Sequence, residues 1–201
     1  TNANERARKK IRNYGITNAE IIETPAEAVP FPDSCVDLIV SSLGINNFEN
    51  PGKVFNVCSR VLKPGGKLAI TTNLNGHWRE FYNIFEETLR ELNSPGELIK
   101  LKQEQEHRGS IASVSSLFTN SGLKISRYFE EQFVMTFLDG SAFLNHYFVK
   151  LGWLASWKAI IPEAEQVRVF TKLEENLNAY AGSSGCLVLT VPMAFIEGEK
   201  S

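Results

Sequence analysis

Between Cys35 and Leu74 the chain alternates short apolar runs with one amphipathic stretch, and turn residues separate them. The segment CVDLIVSSLGINNF carries an apolar run from Val36 to Val40. ENPGKVFNVCSRVLKPGG sets Val54, Phe55, Cys58, Val61 and Leu62 on one side of a helix and ends in Pro64-Gly65-Gly66, and KLAITTNL supplies a second strand over 67–72. Apolar runs this short, bounded by turn signals, suit strands buried on both faces, as in a parallel sheet. Parallel strands need a long crossover, and the intervening helix is long enough to be one. The pattern predicts a right-handed βαβ unit.

The flanks read less regularly. TNANERARKKIRNYGI places Ala3, Ala7, Ile11 and Tyr14 at helical spacing, with Gly15 as a C-terminal cap. A short strand is expected over 20–23, then a loop, TPAEAVPFPDSC. Phe81, Ile84, Phe85, Leu89 and Leu92 form one apolar face of a helix over 79–92 that stops before Ser94-Pro95-Gly96. A strongly charged helix over 98–106, its acids and bases facing water, leads to a surface His107, and a short helix over 113–121 ends at Gly122. Residues 123–137 read as a strand with a bend near Glu130-Glu131, and 185–196 as the final strand. Between these two strands, 138–184 carries helices over 141–151 and 162–180, with Trp153 and Trp157 between them. An insertion this long and apolar is no plain linker, and we read it as a lid over an acceptor pocket.

Composition narrows the class. With 201 residues, 43% apolar, 22% charged and a net charge of -2, the chain suits one soluble domain with a real core. Lys and Arg show no cluster that would mark a nucleic-acid surface. Cys35, Cys58 and Cys186 are odd in number and far apart, each in an apolar segment, so buried thiols in a reducing cytoplasm are expected rather than a disulfide or metal site. No apolar run is long enough to span a membrane.

The strand of type FDLIVSS, a helix ending in VLKPGG, a strand of type KLAIT and the upstream ETPAEAVPFPDSCVDLI together resemble the class I S-adenosylmethionine-dependent methyltransferases. Val36 stands here where the family usually has an aromatic residue. The resemblance implies an α/β, Rossmann-like, mostly parallel sheet with an antiparallel last strand inserted beside the fifth. It also implies a single domain over 1–201 with 138–184 as its lid. The family's Gly-rich loop, and the two strands around it, should precede the first helix. No such motif occurs in these residues, so the chain reads as N-terminally truncated, with the cofactor pocket half built.

S-adenosylmethionine is the implied cofactor. By position Glu27 accepts from the adenine amino group and the Ala28 amide donates to the ring; a carboxylate suits the first role, and the bland alternative is a solvated loop acid. Ser41, Ser42 and Leu43 end a strand whose carboxyl end should face the ligands. Asn46 and Asn47 either line the site or begin the next helix, and Phe48 packs against the sheet. Asn73, Asn75, His77 and Trp78, at the end of the next strand, are acceptor-pocket candidates by location. His146 and Tyr147 lie in FLNHYF, a segment also found in relatives that act on acyl-carrier-bound or small hydrophobic acceptors. His146 is either a base or donor to the acceptor or a histidine at the edge of the lid.

Methyl transfer from a sulfonium needs positioning and dryness more than side-chain chemistry, so no catalytic residue is singled out. The expected function is methyl transfer to a small organic or acyl, lipid-like acceptor. A second class is an assembly module, a partial fold completed by a partner or by homodimerisation through exposed sheet. A third is a dehydrogenase-like enzyme whose fingerprint lies elsewhere.

Overall fold

The computed structural model describes residues 2–105 and 108–201. Helix α1 (Asn2–Asn13) ends where Gly15 turns to a φ of +61°, which lets the Ile16 N–H return to the Ile11 carbonyl at 3.0 Å. The expected strand at 20–23 is absent: the segment has no ladder partner among the described residues and stays irregular. Thr24 to Val29 then folds around a single 3-10 turn at Ala26–Ala28.

Strand β1 (Val36–Ser42) pairs in parallel with β2 (Leu62–Asn73), and helix α2 (Pro51–Val61) crosses between them. Asn50 caps α2 by accepting the Lys53 N–H at 2.9 Å, and Pro51 occupies its first turn, where a missing N–H costs nothing. The Pro64-Gly65-Gly66 turn is folded into β2 as an irregular start. Val36 pairs with Leu62, the register slips, and Leu38 pairs with Lys67. Gly66 is required there, since a Cβ would meet the Lys63 carbonyl at 2.8 Å and the Val36 carbonyl at 3.1 Å.

Helices α3 (Arg79–Glu91), α4 (Pro95–Gln105) and α5 (Ile111–Asn120) follow, then β3 (Leu123–Phe137). Pro95 opens α4 instead of only ending α3, and Leu101 anchors this charged helix from its fully buried side. His107 and Glu106 lie outside the described residues. Ser110 caps α5, which starts two residues before the predicted point because its hydroxyl accepts the Ser113 N–H. The segment 141–151 is not one helix: α6 (Gly140–Asn145) and α7 (Tyr147–Gly152) are separated by His146, whose ψ of 134° is extended. Helix α8 (Leu154–Ile160), unforeseen, precedes α9 (Glu163–Ser184) and strand β4 (Leu187–Lys200).

The sheet order is β1-β2-β4-β3, with β4 antiparallel to both neighbours. The late strand therefore inserts beside β2, as expected, and the described sheet is mixed. β3 runs unbroken past Glu130-Glu131, and its irregularity falls between Ile125 and Arg127 instead. Two apolar cores result. Phe55, Leu68, Ile70, Phe118 and Ile196 join α2 and α5 to the sheet. Phe81, Phe85, Phe143, Trp157, Leu173 and Leu189 join α3 and the 138–184 helices to the first half of β4. The cysteines are free, but Cys35 is exposed just before β1 with its thiol on the Pro32 carbonyl, and Cys58 and Cys186 are half-buried, so the expected burial holds for none of them fully.

Candidate functional site

The carboxyl ends of β1 and β2 meet the insertion in a cavity of about 510 Å³ lined by Leu43, Asn46, Asn73, His77, Arg108 and Trp153, among others. Two non-glycine residues there adopt left-handed backbone: Leu43 after β1 and Trp78 after β2, both at φ +56°. Such strain persists only where the surroundings enforce it. At Leu43 the N–H donates to the Thr71 carbonyl at 2.9 Å. At Trp78 it donates to the Thr190 carbonyl at 2.7 Å and the ring is fully buried. Glu80, in the next turn, accepts the Thr190 N–H at 2.8 Å and its hydroxyl as well. Burial pushes the Glu80 carboxyl up, but these hydrogen bonds and the nearby Arg79 outweigh it and hold it below its ordinary value. The start of α3 is thereby tied to β4 across the pocket floor.

His77 is the unusual group. It is only 5% exposed, and among the described residues neither ring nitrogen has a hydrogen-bond partner, nor has the Trp78 indole N–H. Its ring stacks on Trp78 at 4.6 Å between centroids and lies near-parallel to Trp153 at 6.5 Å. Burial, then the Arg108 charge, pushes its titration down from 6.5 to about 3. Because this value lies below that of the unfolded chain, the neutral ring contributes stability that is fully present above pH 6.5. That stability drains as pH falls from 6.5 toward 3. We expect about 2 kcal/mol of stability to be lost between pH 7 and pH 5, and His77→Phe to abolish most of that loss in urea melts at the two pH values. An equal loss in the variant would show that another group carries it.

The predicted site residues divide. Asn46, Asn47, Asn73, His77 and Leu43 come together around the cavity; Asn46 Nδ2 donates to the Asn73 carbonyl at 3.3 Å and Asn47 Nδ2 to the Leu43 carbonyl at 3.2 Å. Asn75 instead ties the loop at Arg108 and Gly109, once its amide is oriented to donate to their carbonyls. His146 and Tyr147 do not line the cavity: both are exposed, Tyr147 at 71%, and His146 packs edge-on against Phe137, whereas the partly exposed Phe148 borders the cavity. Ser41 belongs to a second, apolar hollow of about 430 Å³ that also touches Ala26, Val29, Phe31, Ile39 and Phe48. Glu27 is half-buried in the turn beside it, and the Ala28 N–H donates to the Pro25 carbonyl at 3.0 Å. Ser42 sits at the strand end, its hydroxyl accepting from Thr71 at 3.3 Å. Arg108, Met135, Met193 and Ser156 line the cavity unforeseen, because their contribution comes from fold and not from any local pattern. No group of acids, histidines or cysteines among the described residues could hold a metal, and no helix among them is long and apolar enough to cross a membrane.

Known proteins supply the context. Residues 1–70 match a family model described as a methyltransferase domain. The ubiquinone/menaquinone biosynthesis C-methyltransferase UbiE of Cronobacter sakazakii is 45% identical over 64 residues, which cover 31% of this chain and 26% of the relative. UbiE of Escherichia coli O1:K1 is 44% identical over the same extent. The chain thus aligns with about a quarter of the length of these curated relatives. Among solved structures, a Bacillus halodurans protein provisionally assigned as a methyltransferase shares the fold with a TM-score of 0.60 at 16% identity, covering 98% of this chain and 78% of its own. The Bacillus subtilis YcgJ protein does so at 0.55 and 18%, covering 98% and 77%. Over its first 70 residues the chain matches the methyltransferase-domain model, and the fold that continues from them is shared with these solved structures.

Proposed function

We propose that the protein, in its whole length, transfers a methyl group from S-adenosylmethionine to a small organic or acyl, lipid-like acceptor held beneath α7 and α8. The observation that carries this is the cavity at the carboxyl ends of β1 and β2. It is walled by Phe148, Trp153, Met135 and Met193 and adjoins the strand end that the family uses for its cofactor. The cofactor brings an already activated methyl group, so what remains for the protein is alignment and exclusion of water. The residues present fit that group in part. Ser41 and the apolar hollow under residues 26–31 offer a slot of ring size, and Glu27 offers an acceptor at its rim, whereas the Ala28 amide is already engaged. Val40, on the outer strand of the described sheet, is 68% exposed, which supports the reading that further residues complete the cofactor side.

The UbiE relatives act on quinone precursors by name, which makes a ring-carbon acceptor the finer candidate. Most of the acceptor cavity, however, is built from residues beyond the matched 1–70, so the pocket itself carries more weight on this point. Calorimetric titration of S-adenosylhomocysteine tests the reading, into this chain and into a longer form carrying any residues that its gene encodes upstream. Binding is expected in the longer form, with Glu27→Ala weakening it about tenfold through loss of one charged acceptor. Absence of binding in both forms overturns it. Assembly is the second reading, favoured by exposed apolar side chains on both edge strands, Leu38 and Val40 on β1 and Phe129 and Phe133 on β3; a concentration-dependent dimer in sedimentation would support it.

A further inference from the structure

We propose that the cavity at the β1 and β2 ends receives an acceptor whose apolar, flat body carries an anionic oxygen, with Arg108 and His77 as the groups that hold that oxygen. This rests on the methyltransferase reading and specifies its substrate class. A buried polar side chain without a partner costs on the order of 1–3 kcal/mol, and native proteins rarely leave one so without reason. His77 leaves two such atoms, and it is held between Trp78 and Trp153, where it cannot swing out to water. A neutral imidazole offers one N–H donor and one lone pair, so it suits an oxygen in either role.

Arg108 supplies the charge. It lines the same cavity, it is near enough to depress the His77 titration, and among the described residues it has no ion-pair partner. A guanidinium facing a largely apolar cavity is matched by a carboxylate, phenolate or enolate rather than by a neutral or cationic ligand. Glu104 lines the cavity too and opposes an anion, so the affinity should reflect both charges. Besides the amides of Asn46, Asn47 and Asn73 and the Ser156 hydroxyl, the wall has an apolar, partly aromatic side in Trp153, Phe148, Met135, Met193 and Val191, which suits a planar body. At about 510 Å³ the space accommodates a small molecule and not a polymer. An acceptor that arrives ionised has no proton to lose on attack, so the site needs no base, in keeping with a histidine that stays neutral.

The test uses 2-naphthoate and its neutral counterpart 2-naphthamide, titrated calorimetrically into the same chain. Naphthoate should bind at least about tenfold more tightly than the amide, the range of one charge-assisted hydrogen bond. Arg108→Met should erase that preference while leaving the amide unchanged, and Glu104→Gln should tighten naphthoate. His77→Phe should weaken naphthoate about tenfold, whereas His77→Gln, which keeps a donor and an acceptor, should restore most of the affinity. Near-ultraviolet circular dichroism verifies that each variant is folded. Equal binding of the two probes, no binding of either, or an Arg108→Met variant with unchanged preference overturns the proposal. Loss of S-adenosylhomocysteine binding with the anion preference intact would instead sink the methyltransferase reading alone.

Discussion

Replacing Trp157 with alanine should lower the unfolding free energy by about 3–5 kcal/mol, the range for removing a large aromatic from a packed core. Trp157 is fully buried. Its ring lies 4.3 Å from Phe81 and 5.9 Å from Phe143 between centroids, and its indole N–H reaches the Tyr82 hydroxyl at 3.4 Å. These contacts fasten α8, a helix of seven residues too short to hold itself together, onto α3. Loss of the ring therefore costs more than one side chain's burial, because the support for the adjoining Trp153 goes with it. Trp153 in turn packs on Trp78 at 4.9 Å and covers His77. The variant should show a lower urea midpoint and a His77 proton that titrates closer to 6.5, as water enters the cavity. Trp157→Phe, which keeps most of the apolar volume, should lose less than half as much. A Trp157→Ala variant within about 1 kcal/mol of the parent would show that the 138–184 helices are not anchored through this residue.

The same cluster marks where sequence reasoning runs out. The βαβ unit from Val36 to Asn73 was legible because each piece is local: a helical face at Val54, Phe55 and Val61 and the Pro-Gly-Gly turn. The insertion of β4 beside β2 came from a family resemblance, since pairing between residues over a hundred positions apart leaves no local trace. Within the insertion, the face Phe143, Leu144, Tyr147, Phe148 and Leu151 looked continuous at helical spacing. The chain spends it on two helices at an angle, and the extended ψ at His146 sends Tyr147 outward. Helix α8 is invisible for a related reason, because its two buried residues, Trp157 and Ile160, are too few to show a period.

Strand-end position anticipates which residues line the cavity: Asn46, Asn73 and His77 all lie near carboxyl ends of strands, a rule of topology that chain order alone can supply. His146 was chosen for its chemistry and lies outside. Arg108 sits in a stretch of charges that sequence cannot sort into solvated and buried, and only the fold brings one of them to the cavity wall. The reaction itself is least legible of all from fold, since one fold hosts many unrelated chemistries. The chemistry must be argued from the cavity's groups.

Gly140→Val should be nearly as damaging as the loss of Trp157, by about 3 kcal/mol, through overpacking instead of a void. Gly140 opens α6 directly against α9, where an added Cβ would lie 2.4 Å from the Leu177 Cβ and 3.0 Å from Asn178 Oδ1. The Leu177 Cβ cannot yield by rotating a side chain, because a Cβ moves only with its backbone, and the Asn178 backbone N lies 3.3 Å away behind its amide. The helices must separate, and that breaks the polar seam beside them. There the Ser141 N–H donates to Asn178 Oδ1 at 3.1 Å, Asn178 Nδ2 donates to the Ser141 hydroxyl at 3.2 Å, and that hydroxyl donates to Glu174. In a chain of this size such a loss lowers the melting temperature by roughly 6–12 °C. Gly152→Ala is the matched control: a Cβ there meets nothing within 4 Å, so that variant should melt within about 2 °C of the parent or slightly above it. If Gly140→Val is tolerated as well as Gly152→Ala, α6 does not rest on α9 in solution. The roof over the acceptor cavity would then be free to lift. If only Gly140→Val melts early and also loses 2-naphthoate, the seam between α6 and α9 is what holds the cavity closed.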